Sequence, residues 1–205
     1  MKEKYILHRS LPPFVGLLAM LVLGVPPSQA RILPAQAHPR GTSIDGITYA
    51  LAKFQDTGNN PIYYPDTRFQ ILFVQDFNTG TGTFTVRPGT FFFVPCFSLN
   101  DSPPILGDFP TDSSQVRDYI FSPTQLGVHD VTIEVDGKVT ILDPSYLSSL
   151  IDTPGLPNGG SHTILMGGFL TPLPKGTHTV TIRVSVDGAL LGSFSFEDTY
   201  TVTVQ

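Results

Sequence analysis

Within Thr83 to Leu99, the residues Phe91 to Val94 are apolar at both strand parities, and this constrains the fold more than any other stretch. A β-strand sends successive side chains to opposite faces, so Phe91 and Phe93 face one layer while Phe92 and Val94 face the other. Only a strand covered on both sides hides that many rings from water. The stretch therefore predicts the central strand of an all-β core. It holds no polar group suited to chemistry. Pro95 has no N–H to give a ladder, so the pairing breaks near Val94 or Pro95 and Cys96 to Leu99 continue after a kink.

Around this centre the chain alternates strands and turns. Ile47, Leu51 and Phe54 fall at helical spacing within Ser43 to Phe54, and the cluster Gly58-Asn59-Asn60-Pro61 ends that helix. Arg68 to Phe77 reads as a strong strand leading through Asn78 to Gly82 into an antiparallel meander. Asn100 to Ser114 is a long polar loop, and Gln115 to Phe121 adds a helical turn or two. Val128 to Leu142 is a hairpin about Asp136-Gly137. Asp143 caps a short helix with Pro144 in its first position. Thr153 to Ser161 reads as a loop dense in Pro and Gly, between that helix and a strand over His162 to Leu170. Thr177 to Val186 and Phe194 to Val204 close the chain as strands. These patterns predict a two-sheet antiparallel β-sandwich, immunoglobulin-like or jelly-roll-like, with one or two short helices. The predicted organisation is a signal peptide over 1–30, a flexible leader over 31–43 and a single β-sandwich domain over 44–205.

The address is written at the N-terminus. Lys2, Lys4 and Arg9 form a basic head, Phe14 to Val25 is a twelve-residue apolar run, and Ser28-Gln29-Ala30 offers the small residues a signal peptidase reads. Ala35-Gln36-Ala37 is a second such site. The run is shorter than the ~20 residues that span a bilayer, so no membrane span is predicted after the signal is removed. Cleavage at Ala30 leaves 205 − 30 = 175 residues. It removes three basic residues and one acidic residue, taking the formal charge from −5 to −7. An acidic balance argues against nucleic acid and anionic membrane as partners. The predicted location is outside the cytoplasm: secreted, periplasmic or at the cell surface.

Pro174 to Asp187, PKGTHTVTIRVSVD, with the closing Tyr200 to Val204, resembles the last hairpin of bacterial immunoglobulin-like domains. A wider set of matches comprises Val86-Arg87-Pro88-Gly89, Phe92 to Pro95, Val135-Asp136-Gly137 and Thr171 to Thr179. With the signal peptide, this resembles a family of exported bacterial β-sandwich proteins that has no assigned activity. The resemblance implies a fold and an address, and brings no site residues with it.

Three histidines share parity with inward-facing neighbours: His129 with Val131, His162 with Ile164, and His178 with Val180. Converging at one end of a sandwich, they would bind zinc or copper. No H-x-H or H-E-x-x-H spacing supports this, so each reads as a rim residue with a hydrogen-bonded ring. Asp101, Asp108 and Asp112 would offer oxygens to calcium but lack the spacing of a calcium loop. Asn100-Asp101-Ser102 matches a glycosylation sequon, but Pro103 follows it and the export signal is of bacterial type. Cys96, the single cysteine, reads as a small buried hydrophobe, since nothing basic flanks it to activate a thiol. No serine lies in a G-x-S-x-G elbow. No catalytic residue, metal or cofactor is assigned. The expected function is that of a non-catalytic binding or structural protein, with a protein or carbohydrate ligand at the loop ends 100–114 and 153–161. The alternative is an exported metal-dependent or hydrolytic enzyme assembled from scattered His and Asp residues.

Overall fold

The computed structural model describes residues 30–156 and 160–205. Apart from Ala30, the signal peptide predicted over 1–30 lies outside them. In chain order the elements are helix α1 (Ile44–Asp56), strands β1 (Phe69–Ile71), β2 (Thr81–Val86) and β3 (Phe91–Asn100), and helix α2 (Ser113–Phe121). Strands β4 (Val128–Val135), β5 (Lys138–Ile141), β6 (Ile151–Leu156), β7 (Gly160–Leu170), β8 (Gly176–Gly188) and β9 (Gly192–Val204) follow. One sheet has the order β1-β3-β7-β6 and the other β2-β9-β8-β4-β5.

Each face of β3 has its own cover, as the apolar run demands. Phe92, Val94 and Cys96 pack between the sheets with Ile164 and Met166 of β7, Ile133 of β4, Val180 and Ile182 of β8 and Val202 of β9. Phe93 belongs to a second layer with Phe69, Ile71, Leu165 and Phe169, roofed by Ile44, Ile47, Leu51 and Phe54 of α1. The molecule is thus helix on sheet on sheet. The ladder from β3 to β7 shifts register between Pro95 and Phe97, the break that a strand proline imposes.

Helix α1 follows local rules. Ser43 caps it by accepting from the Gly46 N–H at 3.0 Å, and Asp45 stands in its first turn. It ends where Gly58 and Asn59 take left-handed backbone, with φ of 67° and 58°. Asp45 also accepts from the Ser149 N–H and hydroxyl at 2.8 and 2.7 Å, which ties the helix to the segment leading into β6.

The sheets are mixed, not purely antiparallel: β1 runs parallel to β3, and β2 runs parallel to β9. The predicted meander fails for a physical reason. In β2 only Gly82, Phe84 and Val86 are buried, alternating with exposed threonines, whereas β3 is covered on both faces, so the two belong to different sheets. The strong strand expected over Arg68 to Phe77 contracts to three residues. Phe69 and Ile71 serve the helix layer, Leu72 turns into the inter-sheet core, and the chain then crosses between sheets. Its apolar residues at both parities mark a crossing, not a doubly covered strand. The expected loop over Thr153 to Ser161 instead begins as β6, paired antiparallel with β7. In the leader, Arg31 and Leu33 bond to Thr171 and Phe169, so this stretch lies along the end of β7. Among the described residues no helix is long and apolar enough to cross a membrane.

Candidate functional site

The three histidines do not converge. His129 pairs with Ser185 of β8, and His178 lies 185 − 178 = 7 positions away on that strand, roughly 24 Å at strand rise. His162 begins β7 in the other sheet. A bulge after His129, with Asp130 at φ 49°, also overturns its expected inward parity, and its side chain is half exposed.

Each ring has local work. The His178 Nδ1 lies 2.7 Å from Asp136 Oδ2 and its Nε2 lies 2.9 Å from the Pro174 carbonyl. Asp136 also accepts from the Thr179 N–H, so this clasp ties the β4–β5 turn to β8. The His162 Nδ1 lies 2.7 Å from Asp101 Oδ2, and its Nε2 faces Asp152 at 3.6 Å. Asp101 Oδ1 accepts from the Ser161 and His162 N–H groups at 2.6 and 2.9 Å, joining the loop after β3 to the start of β7. Burial pushes the Asp101 carboxyl up, but the bonds from His162 and Ser161 outweigh it and hold the group below the usual carboxylate range. In both clasps the ring nitrogens face carboxylates or a carbonyl, so neither ring is presented to a hydroxyl or thiol nucleophile.

The acidic trio also disperses. Asp101 serves the His162 clasp, Asp112 caps α2 through the Ser114 N–H, and Asp108 lines a cleft beside Phe109 and Tyr119. Among the described residues no three His, Cys, Asp or Glu side chains group as metal ligands would. Cys96 is buried, and burial pushes its thiol far above the usual value.

What the fold does bring together is a groove of about 410 Å³ where the C-terminal end of α1 meets the ends of β3 and β7. Gln55, Asn59, Ser98, Asn100, Thr163 and Phe77 line it, with the Asp56 carboxylate. The Ser98 hydroxyl donates to Gln55 Oε1 at 2.7 Å, which leaves the Gln55 N–H donors to the groove. Asn100 Oδ1 accepts from the Ser102 N–H at 3.1 Å and from its hydroxyl, leaving the side-chain NH₂ likewise. Asn59 Oδ1 is buried with no hydrogen-bond partner among the described residues. Such an atom costs about 1–3 kcal/mol until a donor reaches it.

Phe77 supplies the apolar wall. It stands in the turn joining β1 to β2, where Asp76 and Thr81 exchange backbone bonds at 3.0 and 3.2 Å, and it is 71% exposed. Single exposed rings are ordinary on protein surfaces. This one borders a recess of uncommitted amides. Sequence reading missed the groove because Gln55 and Asn59 lie far in the chain from Phe77, Ser98, Asn100 and Thr163 and share no motif with them. The one available signal was the turn cluster Gly58 to Pro61, whose left-handed Asn59 carries its side chain off the helix axis.

No family model matches the chain, and no curated protein matches it. Solved structures similar to it include the following two. A cysteine protease inhibitor from Entamoeba histolytica is 16% identical, covering 69% of this chain and 99% of its own, with a TM-score of 0.31. Amebosin is 14% identical, covering 68% of this chain and 100% of its own, with a TM-score of 0.28.

Proposed function

We propose that this chain is an exported, non-catalytic β-sandwich binding protein whose groove at the α1 end takes a neutral sugar of a glycan. One observation carries the reading: the uncommitted amide donors of Gln55 and Asn100 and the exposed Phe77 ring border the same recess. A sugar hydroxyl accepts as well as donates, so the hydroxyls of one ring take the Gln55 and Asn100 amide donors. Its C–H face lies on a phenyl ring such as Phe77. No lysine or arginine lines the groove, which favours a neutral ligand over an acidic one.

The hydrolytic or metal-dependent alternative loses its best candidates, because the histidines stand apart with both ring nitrogens of His162 and His178 engaged. Export rests on Lys2 to Ala30, and kinship with exported bacterial proteins rests on the strand and turn motifs they share. The immunoglobulin-like form of the sandwich is favoured by the strand orders β3-β7-β6 and β9-β8-β4-β5, which follow B-E-D and G-F-C-C′ of that fold.

The test is a glycan screen on the purified protein and on Phe77→Ala. Phe77 is too exposed for its removal to shift the melting temperature by more than a degree or two. Retention of neutral oligosaccharides by the wild type, weakened at least tenfold in Phe77→Ala, is the expected result. Equal retention by both proteins, or none by either, refutes it.

A further inference from the structure

A second recess, of about 550 Å³, opens near the start of β3 and so lies at the other end of that strand from the groove. Arg40, Arg68 and Arg87 line it, and no aspartate or glutamate does. They arrive from three separate segments: the 3-10 turn before α1, the residue preceding β1, and the turn between β2 and β3. Among the described residues the one arginine in an ion pair is Arg183, held between Glu134 and Glu197 on the outer face of the second sheet. Three of the chain's 12 lysines and arginines thus meet without a counter-charge, although the formal charge of the whole is −5. Three cationic side chains lining one recess repel one another, and an anion bound there lowers that cost.

The other polar groups of the recess are largely committed. The Thr90 hydroxyl donates to the Arg87 carbonyl at 2.7 Å, the Thr67 hydroxyl to the Phe69 carbonyl at 2.9 Å, and the Gln70 amide to Tyr64 Oη and the Ile71 carbonyl. A neutral, hydroxyl-rich ligand therefore finds few partners, and the arginine N–H groups dominate what is offered. Arg40 is positioned at some expense. Its φ of 54° is left-handed, which a non-glycine residue rarely adopts, and its guanidinium lies 5.1 Å from the Phe91 ring centroid with Nη2 at 3.5 Å from the Gly89 carbonyl.

From this geometry we infer that the recess at Arg40, Arg68 and Arg87 is a binding site for a tetrahedral oxyanion, the sulfate or phosphate group of a small ester or the free ion. A carboxylate has two oxygens and is satisfied by a single guanidinium fork, whereas a tetrahedral group presents oxygens to three forks at once. A nucleic acid fits less well, since its continuous line of phosphates would meet the acidic remainder of the surface.

Titration calorimetry at low ionic strength on the full protein tests the site, with inorganic sulfate, inorganic phosphate, glucose 6-sulfate, glucuronate and an oligodeoxythymidylate as separate probes. Saturable binding of at least one tetrahedral probe is expected, tighter than glucuronate. Stronger binding of the ester than of the free ions names an ester as the source; the reverse names the free ion. Arg68→Gln with Arg87→Gln lowers the affinity at least tenfold, while Arg183→Gln, which removes a charge elsewhere, leaves it within twofold. All three arginines of the recess are exposed, so the double variant retains its fold. The assignment is overturned if neither sulfate nor phosphate binds saturably in any form, if the double variant binds as the wild type does, or if Arg183→Gln weakens binding equally. Preference for glucuronate or for the oligonucleotide also overturns it.

Discussion

Asp198 shares the inward parity of Tyr200 and Val202 on β9, and burial alone pushes its carboxyl above the usual range. Asp101 behaves oppositely, held below that range once the bonds from His162 and Ser161 outweigh its burial. Their linkage signs follow. A folded-state value raised above the unfolded ~3.9 makes Asp198 a cost that is complete at neutral pH and absent once both states are protonated. A depressed value makes Asp101 a stabiliser that is fully present above ~3.9 and is lost as pH falls through its folded value. Asp198→Asn is therefore expected to raise the denaturation midpoint at pH 7, and Asp101→Asn to lower it. Both differences shrink towards zero as the medium is acidified below the carboxylate range, and urea titrations at neutral and acid pH measure them. At this scale the sequence was least informative. His129, His162 and His178 could be picked out, but a bulge at Asp130 and carboxylates distant in the chain decide what each ring does.

Among the elements, those whose signals are local were readable in advance. The helix carried by the spacing of Ile47, Leu51 and Phe54, the Asp136-Gly137 turn with both φ positive, and Asp143 capping a 3-10 turn at Pro144–Tyr146 all follow from neighbours within a few residues. The helix at 115–121 was anticipated to within two residues of the observed start of α2. Pairing partners were not readable in the same way. The parallel contact of β2 with β9 joins residues more than a hundred positions apart, from Thr81 with Thr199 to Val86 with Val204. No turn dictates such a pair. Close packing of elements also carries a demand that hydropathy hides: a Cβ at Gly167 of β7 would lie 2.7 Å from the Val94 carbonyl and 2.9 Å from the Phe93 ring. Gly167→Ala is expected to destabilise the protein by about 1–3 kcal/mol, the usual cost of overpacking, in chemical denaturation. Gly89→Ala meets nothing within 4 Å, and its φ of 82° limits the loss to backbone strain of about 1 kcal/mol.

At the scale of the whole molecule, the double-faced apolar run of β3 foretold a layer on each side. It could not say that one of those layers is a helix. Phe92 and Phe93 are both fully buried, one between the sheets and the other beneath α1. Truncating either to Ala is expected to cost ~3–5 kcal/mol in equilibrium unfolding. Phe93→Ala should also loosen α1, read as faster amide exchange over Ile44–Asp56 than in Phe92→Ala. The layered order places two recesses of unlike chemistry at opposite ends of β3, neutral amides with Phe77 at one and three arginines at the other. The amide groove is proposed as the place where this protein meets its ligand. Amide chemical-shift mapping during titration with neutral oligosaccharides tests it most directly. Saturable shifts are expected at Gln55, Asn59, Asn100 and Thr163, with the His178 clasp and the His129 ring unmoved. Shifts centred on those histidines, or no saturable shift at the groove with any neutral glycan, would contradict it.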